Sequence, residues 1–134
     1  MVHFITGKSG AGKTTLAYRM AYERSQRGER VTVLDGARVR KWFPSAYTDA
    51  GRKRNVKLVA TFAALLEEQG YTVIVELFAP TKDLRMMARK MWSASQLIYL
   101  PGGTLWEGTT YEEPGKEELA EMFRGACPGE GVGQ

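Results

Sequence analysis

Eight consecutive residues, Gly7-Lys8-Ser9-Gly10-Ala11-Gly12-Lys13-Thr14, carry the clearest chemistry in the chain. Small residues at this spacing let successive backbone N–H groups turn inward around a phosphate. A helix opening at their end adds unsatisfied donors and a positive dipole end. Lys13 then reaches the β- and γ-phosphates, the Thr14 hydroxyl is placed to ligate Mg²⁺, and Thr15 follows in the same first turn. The pattern requires a strand before it and a helix after it, and the apolar run Val2-His3-Phe4-Ile5-Thr6 supplies the strand. The implied ligand is a nucleoside triphosphate, with Mg²⁺ as its cation.

Where the phosphate goes depends on residues further along. Asp35 closes the run "VTVLD", at the C-terminal edge of a strand where ligands bind in open α/β sheets, and can reach Mg²⁺ or its water shell. Arg40, five residues on, can face an anionic acceptor; the alternative is a carboxylate capping the next turn beside a solvated arginine. Arg52 and Asn55 lie three apart and share a helix face, which suits contacts to one ligand or, equally, a solvated polar face. Lys41, Trp42, Phe43 and Tyr47, with Arg52, Lys53, Arg54 and Lys57, interleave charge with aromatic rings. Such a cluster stacks bases and meets phosphates in a nucleic-acid binder, or forms a half-buried apolar edge next to a solvated helix face. No Asn-Lys-x-Asp guanine signature is present. His3, the only histidine, reads as a packing residue on the first strand, so histidine acid–base catalysis is not expected.

The elements that must position these groups follow from periodicity. Short apolar runs alternate with helical segments, the pattern of βαβ units around a parallel sheet. Strands are expected at about 2–6, 31–35, 71–78 and 96–100, buried on both faces because they lack polar alternation. Helices are expected from about Gly12 to Gln26, with Leu16, Ala17, Met20 and Ala21 on one face and Gly28 as the stop, and over 49–68, with Val56, Val59, Phe62, Ala63 and Leu66 toward the sheet. Two more are expected over 81–92, after Pro80, and over 115–125, carrying Leu119, Met122 and Phe123. The fold class is α/β, a three-layer α/β/α P-loop kinase with a parallel sheet of about four strands. One domain is expected over 1–127, with a glycine-rich flexible tail over 128–134.

Composition sets the outer limits. With 134 residues, 43% hydrophobic and 25% charged, the chain is an ordinary globular domain, and its net charge of +4 favours anionic partners. The single cysteine, Cys127, forms no internal disulfide, and no Cys/His spacing points to zinc. No apolar stretch approaches the roughly 20 residues that span a bilayer. A soluble, cytoplasmic protein is expected.

The ordered landmarks "FITGKSGAGKTTLA", "VLDGARVR", "RKRN", "FAP", "RMMAR" and "YEEP" resemble those of adenylylsulfate kinases, which use ATP to phosphorylate the 3′-hydroxyl of adenosine 5′-phosphosulfate. The resemblance covers residues 3 to 114. It implies that Arg40, Arg52 and Asn55 contact the acceptor nucleotide, that Phe78 and Pro80 belong to the loop closing over it, that Arg85 and Arg89 match the following helix, and that two copies pair as a homodimer.

Three departures stand out. The family pattern Asp-Gly-Asp reads Asp35-Gly36-Ala37 here, so the second carboxylate is missing. A small or hydroxyl residue is replaced by Glu76, which can take over Mg²⁺ or the acceptor proton as a catalytic group beside Lys13 and Asp35, or pair with an arginine. The basic lid after the fourth strand is reduced to "PGGTLWEGTTYEEP", without lysine or arginine, so the acceptor site is expected to be more open. Trp92 and Trp106 are candidates to flank the adenine. The competing acceptors are a nucleic-acid end or a modified base, and a nucleotide-binding protein without transfer activity is the third reading.

Overall fold

A computed structural model describes residues 1–120 and 122–125. Four parallel strands form one sheet: β1 (Val2–Gly7), β2 (Val31–Asp35), β3 (Thr72–Leu77) and β4 (Ser95–Leu100), in the order β2-β3-β1-β4. The helices are α1 (Lys13–Gln26), α2 (Gly36–Trp42), α3 (Asp49–Glu68), α4 (Lys82–Arg89) and α5 (Lys116–Ala120).

The sheet splits the core in two. On one face Phe4, Val73, Val75, Val56, Val59, Ala63 and Trp92 pack together, with Phe62 and Leu66 against them. On the other, Ile5 and Ile74 meet Ala17, with Leu16, Met20 and Ala21 alongside. The expected apolar faces of α1 and α3 are therefore the ones buried. Full burial on both faces holds for β1 and nearly for β3, the two central strands, while the edge strands β2 and β4 are only partly covered.

Register then decides the site. Asp35 and Glu76 are direct neighbours at the C-terminal ends of β2 and β3, and Thr6 sits beside Leu77 one strand over. Two carboxylates and the phosphate loop thus converge on one edge of the sheet, the edge where open α/β folds bind ligands.

Two elements depart from the expected outline. The segment after β2 forms a helix, α2, that the sequence reading omitted; Asp35 caps it, with Oδ1 accepting from the N–H of Ala37 at 2.7 Å and of Arg38 at 3.4 Å. Of the helix expected over 115–125, Lys116–Ala120 is helical and residues 122–125 are not. Phe123 instead exchanges backbone hydrogen bonds with Ser95, at 2.8 and 2.9 Å, adding an antiparallel bridge at the start of β4. Leu119 and Met122 are exposed rather than packed. The expected tail over 128–134 lies outside the described residues. Among the described residues, no helix is long and apolar enough to cross a membrane.

Candidate active site

The phosphate loop has the backbone its sequence demands. Gly10 and Gly12 adopt φ of 78° and 99°, a left-handed region that side chains rarely enter, and Gly12 caps the N-terminus of α1. The Lys13 ammonium donates to the carbonyls of Gly7 at 2.8 Å and Lys8 at 2.9 Å, so it lies curled over the loop it serves. Burial lowers its pKa, and the nearby Glu76 and Asp35 carboxylates oppose that shift.

A pocket of about 250 Å³ runs from Ser9 and Lys13, past Asp35 and Glu76, to the loop holding Phe78, Ala79 and Pro80. Arg40, Arg52 and Asn55 all line it, so the structure brings these predicted acceptor residues together with the phosphate loop. Arg40 donates from Nε to the Ser45 carbonyl at 3.1 Å and lies 4.1 Å from the centre of the Tyr47 ring. Arg52 lies over Phe78, 5.9 Å from its ring centre, with Asp49 3.7 Å away. Buried Asn55 donates to the Gly36 carbonyl at 3.3 Å. The shared face expected of Arg52 and Asn55 is thus turned to the pocket and not to solvent.

Glu76 does not pair with an arginine. Its Oε1 accepts from the Thr14 hydroxyl at 2.6 Å, whereas buried Oε2 has no hydrogen-bond partner among the described residues. Burial raises its pKa and the neighbouring Asp35 charge adds to the rise, partly offset by the bond from Thr14 and by Lys13. The oxygens of Thr14, Asp35 and Glu76 are hard donors of the kind Mg²⁺ prefers. Among the described residues no three His, Cys, Asp or Glu side chains come together in a way that could hold a metal ion by themselves.

The reduced loop after β4 runs along a pocket that stays partly open, with Leu105 and Trp106 exposed at its edge. After left-handed Gly102 and Gly103, the Thr104 N–H donates to the Ser9 carbonyl at 2.8 Å, which ties this segment to the phosphate loop itself. Leu105, Trp106 and Thr109 then line the pocket, and the Trp106 ring lies 5.5 Å from that of Tyr47. Further on, the Glu112 N–H donates to the Pro80 carbonyl at 2.7 Å, and the Tyr111 hydroxyl is 2.8 Å from that of Thr6. The segment is a strap fastened to the phosphate loop at one end and to the loop after β3 at the other.

Several other expectations are corrected here. Trp92 is fully buried, edge-on to Phe4, with its indole N–H donating to the Ala60 carbonyl at 3.0 Å, so it is a core residue with no access to nucleotide. Arg85 and Arg89 do lie on the helix expected after the third strand, α4, where they are buried struts: Arg85 pairs with Glu118 and donates to the Ala79 carbonyl, and Arg89 donates to Ser95. The basic and aromatic cluster divides, because Arg40, Tyr47 and Arg52 line the pocket while Lys41, Trp42, Lys53, Arg54 and Lys57 are exposed elsewhere. Ala79 was missed altogether; it stands in the pocket wall at φ 38°, a strained conformation for alanine.

Comparison with known proteins follows the same lines as this geometry. The family model for adenylylsulphate kinase matches residues 1–101. A probable adenylyl-sulfate kinase of Pyrococcus abyssi is 39% identical over 99 residues, covering 72% of this chain and 57% of the relative. One from Aeropyrum pernix is 32% identical over 132 residues, covering 97% of this chain and 70% of the relative. Among solved structures, the Mycobacterium tuberculosis APS kinase in complex with AMPPNP and APS superposes with a TM-score of 0.70 at 25% identity, over 75% of this chain and 61% of that one. The chain spans about half the length of several curated relatives it matches, for instance 48% of the Bacillus pumilus enzyme.

Proposed function

The chain belongs to the adenylylsulphate kinase family, and from that premise we propose that it transfers the γ-phosphate of ATP to a nucleotide hydroxyl, first among them the 3′-hydroxyl of adenosine 5′-phosphosulfate. The observation that supports this reading is the continuity of one pocket from Lys13 of the phosphate loop to Arg40, Arg52 and Asn55, the residues expected to meet the acceptor.

Its parts divide the work by position and charge. Backbone amides of residues 9–14 and Lys13 hold the β- and γ-phosphates, and Thr14 and Asp35 would hold Mg²⁺. Bound there, the cation would neutralise charge developing on the phosphate oxygens. Asp35, fixed by its bonds from Ala37 and Arg38, orients the acceptor hydroxyl and takes its proton as the new P–O bond forms and the bond to ADP breaks. Arg40 and Arg52 anchor the acceptor's anionic group. Tyr47, Trp106 and Phe78 offer ring faces to a planar base, and Pro80 shapes the loop beneath it. At about 250 Å³ the pocket falls just below the usual range for ligand sites, roughly 300–1,000 Å³, which suits one nucleotide better than a polymer.

The test is ADP release from ATP and Mg²⁺ with adenosine 5′-phosphosulfate or with 5′-hydroxyl oligonucleotides, against a Lys13→Ala control. Stimulation by the sulfate nucleotide alone is expected. Stimulation by oligonucleotide alone would move the acceptor to nucleic acid, and ATP binding without release under either condition would leave a binding protein.

A further inference from the structure

Glu76 is a carboxylate with a vacant oxygen in a place where an unpaired one is costly. The residue is 8% exposed, lines the pocket, and spends only Oε1 on the Thr14 hydroxyl while Oε2 is buried with no partner among the described residues. A desolvated, half-satisfied carboxylate persists where something it binds offsets the penalty. Its neighbours say what that is. Glu76 is register partner to Asp35, and Thr14 is the residue placed by its motif to ligate the nucleotide's cation.

The hydrogen bond has a direction that matters. Because the Thr14 hydroxyl gives its proton to Glu76, the lone pairs of Oγ1 stay free for a cation, and the anionic acceptor makes that oxygen a better ligand. Charge points the same way. The segment from Pro101 to Pro114 carries no lysine or arginine, and Glu76 adds a negative charge beside Asp35. A triphosphate entering a site with two carboxylates needs a divalent cation to neutralise it more than it would in a site with a basic cover.

We infer that Glu76 holds the water shell of the nucleotide-bound divalent cation from β3, through Oε2 and through its bond to Thr14, taking the place left by the absent carboxylate at position 37. This rests on the kinase reading above and adds a cation-positioning residue to it. The consequence is a nucleotide site whose affinity depends on Mg²⁺ through Glu76, whatever the acceptor.

The experiment is equilibrium binding of ADP by titration calorimetry, with Mg²⁺ and with chelator, for the wild-type protein and Glu76→Gln. The variant is isosteric and keeps an amide oxygen for the Thr14 hydroxyl; thermal unfolding without ligand verifies its fold. The expected result is that Mg²⁺ tightens ADP binding in the wild type and that Glu76→Gln weakens binding in Mg²⁺ while leaving Mg²⁺-free binding no weaker, since a negative charge has left the site, so that the enhancement falls about tenfold or more. An undiminished enhancement in the variant overturns the inference alone. An equal loss with and without Mg²⁺ also overturns it, because that marks damage to the phosphate loop. A wild-type protein that binds no ADP overturns it together with the kinase reading.

Discussion

Glu118 of α5 closes on Arg85 of α4 as a two-pronged pair, Nε to Oε2 at 2.7 Å and Nη2 to Oε1 at 3.2 Å, with both side chains buried. The same guanidinium donates from Nη1 to the carbonyl of Ala79 at 3.0 Å, in the pocket wall. A residue more than thirty positions downstream therefore braces the strained loop after β3 through one arginine.

Glu118→Ala strands Arg85 as a buried, uncompensated charge, and the expected loss is about 3–5 kcal/mol of stability, measured by denaturant unfolding. Where the variant remains folded, the KM for the acceptor should rise more than that for ATP, since only the acceptor loop loses its brace. A loss below about 1 kcal/mol would show that the pair carries little of the fold.

Gly103→Ala tests the strap. At φ 73° alanine is strained, and its Cβ would come within 2.5 Å of the Ser9 carbonyl oxygen. The expected cost is about 1–3 kcal/mol in thermal stability, with weaker ADP binding because the Ser9–Thr104 bond is displaced. ADP affinity equal to that of the wild type would separate the strap from the phosphate loop.

His3 gives the pH dependence. Burial lowers its pKa, with the Gln96 hydrogen bond opposing, so the unfolded chain binds a proton more readily than the folded one. For a lowered folded pKa, the stability present above the unfolded value of 6.5 is lost as pH falls through the folded value. Melting temperature should therefore drop between about pH 7.5 and pH 5.5, and His3→Leu should flatten that slope. Parallel slopes for the two proteins would assign the acid sensitivity elsewhere.

Much of the frame was legible because β-branched runs and apolar stripes report burial directly. The strands, α1 and α3 fall where periodicity puts them, and the phosphate loop sits between strand and helix as its pattern requires. What was hidden came from contacts between distant segments. α2 is only 7 residues long and starts at a glycine, and its cap is Asp35, a residue whose position first suggests a ligand. Phe123, expected within the last helix, pairs with Ser95 instead, a tertiary bond that overrides local helical pattern. Arg85 and Arg89 have the composition of surface groups and the surroundings of core ones. The approach of Tyr47 to Trp106 joins two loops, and no spacing along the chain encodes it.

The strap has a kinetic consequence. Anchored at Ser9 and again at Pro80, its backbone has little room to swing, while Trp106 between the anchors remains 58% exposed. On the proposed kinase reading, an acceptor would pass a backbone held at both ends, and the part beside it free to move would be the Trp106 indole, which turns in picoseconds to nanoseconds where a hinged cover takes microseconds to milliseconds. On that reading, the strap would then add no slow step of its own to each cycle.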